Sequence, residues 1–129
     1  MIKWEMKYLL FLLIIIFFGC KSITPAESEI REYTLLNHEF KEILSSKKPS
    51  DFINTMLFTI EGNITGKAEI ILYHPPFDRM PRGAKEKIVI EGKINKTIKS
   101  EWYDKDCLIH FIPENSLVNG EIKITYQVF

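Results

Sequence analysis

From Phe52 to Phe129 the chain consists of short runs of isoleucine, valine, threonine and aromatic residues, broken at regular intervals by turn formers. That pattern restricts the chain to an all-β fold. The final run alternates most cleanly. Ile122, Ile124, Tyr126 and Val128 fall on one face, and Lys123, Thr125 and Gln127 on the other, as in a strand with one buried and one wet side. Further strands are predicted at about Asn54 to Glu61, Lys67 to Tyr73, Lys87 to Ile94, Thr97 to Trp102 and Cys107 to Ile112. Thr65-Gly66, Asn95-Lys96, Asp104-Lys105-Asp106 and Asn119-Gly120 are the expected reversals.

Strands this short and this numerous bury their inner faces most simply as two packed antiparallel sheets, a small β-sandwich of immunoglobulin-like kind. A small β-barrel is the alternative. The hexapeptide Ile60-Glu61-Gly62-Asn63-Ile64-Thr65 is echoed by Ile90-Glu91-Gly92-Lys93-Ile94-Asn95. A glycine inside each apolar run predicts a bulge or sharp bend, as where a strand crosses between sheets. Residues 29–45 are open to two readings. Ile30, Tyr33, Phe40 and Ile43-Leu44 recur at nearly helical spacing, and Thr24-Pro25-Ala26-Glu27 carries a helix-start signature. Leu36, Phe40 and Leu44 half satisfy a strand.

The first twenty residues follow a different rule. Lys3 and Lys7 precede an unbroken apolar run from Tyr8 to Phe18, which stops at Gly19-Cys20. The run spans 11 residues, whereas a bilayer-crossing helix needs about 20, so it fits a signal-peptide core. An uncleaved signal anchor or a buried apolar helix is the competing reading. Phe17-Phe18-Gly19-Cys20 resembles the lipobox of bacterial lipoproteins, a resemblance confined to the leader. It implies cleavage after Gly19, a diacylglyceryl group on Cys20 that fixes the chain to a membrane, and a location in a bacterial cell envelope. Lys21 stands where an aspartate often marks inner-membrane retention in lipoproteins of two-membrane bacteria, so the resemblance implies the outer membrane. Residues 1–19 are then signal peptide, 20–28 the lipidated cysteine and a tether containing Pro25, and 29–129 one β-sandwich domain.

Losing Lys3, Lys7 and Glu5 from 17 basic and 17 acidic residues leaves 15 and 16. So neutral a chain lacks the cationic surface that nucleic-acid binding requires. With Cys20 acylated, Cys107 has no partner for a disulfide, and its run, Cys107-Leu108-Ile109-His110-Phe111-Ile112, is that of a buried strand with an inert thiol. Asn63-Ile64-Thr65 and Asn95-Lys96-Thr97 match the glycosylation pattern but carry no such meaning in a bacterium.

Residues able to carry chemistry are sparse. His38, His74 and His110 have no partner at metal-ligand spacing. Asp104 and Asp106 lack the further oxygens and glycine turn of a calcium loop. Nucleophile elbows, phosphate loops and dinucleotide fingerprints are missing from the sequence. No catalytic residue, metal or cofactor is therefore expected. Two features suit recognition. One is the proline-stiffened connector His74 to Lys85, with Phe77, Arg79 and Arg82, whose plain reading is a linker that tucks Phe77 onto the sheet. The other is Trp102-Tyr103, which could stack on a sugar or a peptide if exposed, or plug the core. The leading expectation is a lipid-anchored, non-enzymatic domain that binds a protein or envelope component. A carbohydrate-binding or adhesin-like module using Trp102 and Tyr103 is the alternative. A third reading, an envelope enzyme of unrecognised kind, requires His74, His110 or the Asp104-Asp106 pair to converge in a pocket.

Overall fold

A computed structural model of the protein describes residues 28–129. The expected signal peptide, Gly19, Cys20 and the expected tether through Glu27 lie outside the described residues. The chain is all-β and antiparallel: β1 (Ser28–Tyr33), β2 (Phe40–Ser45), β3 (Thr55–Tyr73), β4 (Ala84–Glu101), β5 (Asp106–Pro113) and β6 (Asn119–Val128). Short 3-10 turns lie at Ser50–Phe52 and Phe77–Arg79. The strands run β1-β6-β3-β5-β2, with β4 beside β3.

Two long strands make the architecture. The first half of β3 pairs with β6, from Met56 against Val128 to Thr65 against Asn119. Its second half pairs with β5, from Ala68 against Pro113 to Tyr73 against Leu108. β4 follows β3 along both halves. The sheet thus folds over on itself into a sandwich that is nearly a closed barrel.

In the sequence each long strand reads as two shorter ones. Thr65-Gly66 is a bulge in β3 and Asn95-Lys96 continues β4, paired with Glu61 and Ile60, so neither is a reversal. The bend needs residues free to leave the extended region, and Gly66 (φ +88) and Gly92 (φ +63) supply it. The echoed hexapeptides are the two sides of this one corner, with Gly62 opposite Ile94 and Ile64 opposite Gly92. Asn119-Gly120 likewise opens β6, and the actual turn is Glu114 to Val118, held by Glu114 N–H donating to Lys67 O and Val118 N–H to Asn115 O.

Residues 29–45 form two strands and no helix, and Ser28, assigned to the tether, begins β1. β1 and β2 are the edges that face each other across the open seam, where side chains replace ladder bonds. The Glu29 carboxylate accepts from the Ser45 N–H at 2.6 Å and from Arg31 Nε at 3.0 Å, and Arg31 reaches Glu42 at 3.5 Å. Above them Tyr33 stacks on Phe40 and Phe40 on Phe111, with ring centroids 5.0 and 4.9 Å apart. The core between the folded-over halves is apolar, with Phe58, Ile60, Ile70, Leu72, Ile90, Trp102, Cys107, Ile109, Phe111, Ile124 and Tyr126 among its buried residues.

Candidate functional site

The strand directions sort the loops into two ends. At the end where Ser28 begins β1 lie residues 46–54, the connector 74–83, residues 102–105 and Phe129. At the opposite end lie the β1–β2 connector (34–39), the β5–β6 turn and the folded corner.

The recognition residues suggested by sequence fall at the Ser28 end, but the fold does not bring them together. Trp102 is fully buried and its Nε1–H donates to Asp106 O at 3.0 Å. The expected aromatic platform is thereby corrected: Trp102 is a core residue and Tyr103 alone is exposed. The physical reason is the strand period, since neighbours at a strand end point to opposite sides. Phe77 is half-buried, Arg82 is exposed, and the Arg79 side chain lies outside what the structure describes. Tyr73 and Leu108, directly paired, are buried without belonging to the main core. The connector leaves β3 just after Tyr73 and rejoins at Ala84, opposite it, and Phe77 and Met80 within it are half-buried.

The Asp104-Lys105-Asp106 turn is structural. Asp104 Oδ1 accepts from the Asp106 N–H, and Asp106 Oδ1 accepts from Ser45 Oγ–H. Lys105 O accepts from both Ser46 N–H and the Tyr126 hydroxyl, at 2.9 and 3.0 Å. Each carboxylate thus serves a turn or a strand end.

The histidines are equally committed. His74 Nδ1–H donates to Pro75 O at 2.7 Å while Nε2 accepts from the Tyr103 N–H at 3.2 Å. Its edge meets Trp102, with centroids 4.9 Å apart. His110 pairs with the Glu39 carboxylate on the outer face. His38 lies beside Asn37 in the β1–β2 connector. Among the described residues no set of three histidine, cysteine or acidic side chains could hold a metal ion. Cys107 is buried in β5, which pushes its thiol pKa well above the usual range and suppresses the reactive thiolate.

The feature that sequence reasoning missed is at the other end. Leu35 is 71% exposed and Leu117 81% exposed, and both line a cleft of about 320 Å³ together with Leu36, Asn37, Val118 and Asn119. Leu36 and Val118 are buried beneath it at 1%. Each exposed leucine therefore adjoins an anchored apolar neighbour, so an apolar tip is held on a fixed base. It offers shape and apolar area, rimmed by the polar side chains of Thr34, Asn37, Ser116 and Asn119.

No family model matches the chain, and no curated protein matches it. Among solved structures it is similar to the Yersinia pseudotuberculosis-derived mitogen, at 12% identity over 81% of this chain and 88% of that one, with TM-score 0.53. It is also similar to a protein of the disulfide-linked pili of Bacillus endospore appendages (14% identity, 81% and 86% covered, TM-score 0.48). A third is the CBM36-1 domain of a multidomain xylanase from the hindgut metagenome of Trinervitermes trinervoides (12% identity, 78% and 95% covered, TM-score 0.44). At these identities the likeness is one of fold.

Proposed function

We propose that this protein is a non-enzymatic binding domain, anchored in a bacterial envelope by a diacylglyceryl group on Cys20, that presents its Leu35–Leu117 tip to a protein partner. The observation that carries the reading is an opposition of ends. The chain from Cys20 joins the domain at Ser28, and the exposed leucine pair lies at the other end of the strands. A tethered domain so arranged holds its apolar tip away from the membrane. Two leucines exposed together over an apolar base are a feature that soluble surfaces generally reserve for partners. The order Lys7, apolar run, Gly19-Cys20 supports the anchor, and Lys21 after the cysteine supports an outer-membrane location. The engagement of His74 with Pro75 O and the Tyr103 N–H, of His110 with Glu39, and of Asp104 and Asp106 with the turn and Ser45 supports a role without catalysis, since each group is occupied by a structural contact.

The test is a photo-crosslinking residue placed at Leu117 in the full chain, with Thr97 on the outer sheet face as the control position. A discrete adduct of higher mass from Leu117, absent from Thr97 and lost on Leu35→Asp, is the expected result. No adduct at Leu117, or equal adducts at both positions, would refute the tip as the binding surface.

A further inference from the structure

The Ser28 end carries its own exposed rings. Phe52 is 72%, Tyr103 58% and Phe129 41% exposed, and the backbone of a single residue, Asn54, ties their three segments together. Asn54 N–H donates to Phe129 O at 2.7 Å, and Asn54 O accepts from Trp102 N–H at 3.1 Å. Phe52 lies two residues before Asn54, and Tyr103 follows Trp102. Loop 46–54 is further fastened to the 102–106 turn by Lys105 N–H donating to Ser50 Oγ and Ser46 N–H donating to Lys105 O. Three rings on three separate chain segments are thus displayed at one end by backbone hydrogen bonds.

Resting on the anchor reading above, we infer that this end lies on the lipid surface, with Phe52, Tyr103 and Phe129 seated in the headgroup layer. Ser28 pairs with Gln127, two residues before Phe129, so the tether leaves the domain beside the rings. Eight peptide units separate Cys20 from Ser28, a reach of about 28 Å at most when fully extended. The acyl chains therefore confine the domain close to the bilayer, and the end nearest the tether meets it first. Aromatic side chains favour the membrane–water interface. Among the described side chains, the exposed charges of this end, Lys47, Lys48, Arg82 and Lys105 against Asp51, Asp78 and Glu101, nearly cancel, so the contact depends on the rings and is indifferent to salt and to anionic lipid.

The experiment uses full chain processed in a bacterial host and reconstituted in phosphatidylcholine vesicles. A nitroxide is attached in turn at Asp51→Cys and Ser116→Cys, and its collision with a water-soluble relaxing agent is measured. The label at position 51 should lose accessibility several-fold on vesicles, and the label at 116 should not. Adding Phe52→Ser and Tyr103→Ser should restore access at 51, and raising the salt should change nothing. Equal accessibility at both positions, in protein whose mass confirms the acyl chains, overturns the inference and leaves the anchor standing. Protection at 51 in native envelopes but not on pure lipid overturns it in favour of a protein contact. A mass without acyl chains overturns the anchor and this inference together.

Discussion

Gly62 and Glu121 approach so closely that a β-carbon on Gly62 would lie 2.1 Å from the Glu121 carbonyl oxygen, and one on Gly120 would lie 2.1 Å from the Asn63 carbonyl oxygen. The two contacts are reciprocal across the β3–β6 ladder, where Gly62 pairs with Ile122 and Ile64 with Gly120. Both obstacles are backbone, which cannot swing aside. Gly62→Ala and Gly120→Ala should each destabilise the domain by about 3 kcal/mol or more, since the strands must separate to admit the methyl group. Gly92→Ala meets no atom within 4 Å and should cost only about 1–2 kcal/mol, for its left-handed backbone. Urea denaturation of the three variants checks the ranking.

Trp102 and Tyr103 are adjacent in sequence and opposite in role. Trp102→Ala removes a fully buried ring and leaves Asp106 O without its indole donor, a loss expected at about 3–5 kcal/mol. Tyr103→Ala removes an exposed ring and keeps the backbone N–H that His74 accepts, so stability should change by less than about 0.5 kcal/mol. Thermal unfolding of the pair distinguishes a core plug from a surface ring.

Cys107 links stability to alkaline pH. Burial raises its thiol pKa in the folded state, so the folded chain keeps a proton that the unfolded chain releases above about pH 8.5. Its stabilising contribution is complete below that pH and is lost as pH rises toward the folded value. Stability should fall by up to about 1.4 kcal/mol per pH unit there, and Cys107→Ala should flatten the slope. Burial also raises the Tyr126 hydroxyl, which adds a second loss above about pH 10. Denaturant midpoints between pH 7 and 10.5 read both.

At the β1–β2 seam the Glu29 carboxylate accepts from the Ser45 amide and two Arg31 nitrogens. Glu29→Ala should cost about 1 kcal/mol overall. Its larger effect should be local, with faster hydrogen exchange at Ser45 and along β1, and no change in β3 or β4. Uniform acceleration across all strands would contradict the seam as a separate unit.

The antiparallel β-architecture was legible because alternation survives through long stretches of β3, β4 and β6, most plainly from Ile122 to Val128. Strand continuity was not, because glycine and asparagine also punctuate bulges. Gly66 and Gly92 bend strands that continue past them. Residues 29–45 stayed open between helix and strand because they form edge strands whose side chains are mostly exposed, so little of the alternating pattern is enforced. The Cys107 and His110 faces of β5 were readable from alternation alone. The apolar tip left only a faint signal, the doublets Leu35-Leu36 and Leu117-Val118 set among turn residues. Which leucine is exposed follows from the packing of its neighbour, information held in the tertiary structure.

The measurement closest to the central claim is intact mass with membrane fractionation of the chain made in a bacterial host, beside Cys20→Ser. The expected result is a membrane-bound species lacking residues 1–19 and carrying acyl chains on Cys20, with the variant neither acylated nor processed in that way. A full-length, unmodified chain would contradict it.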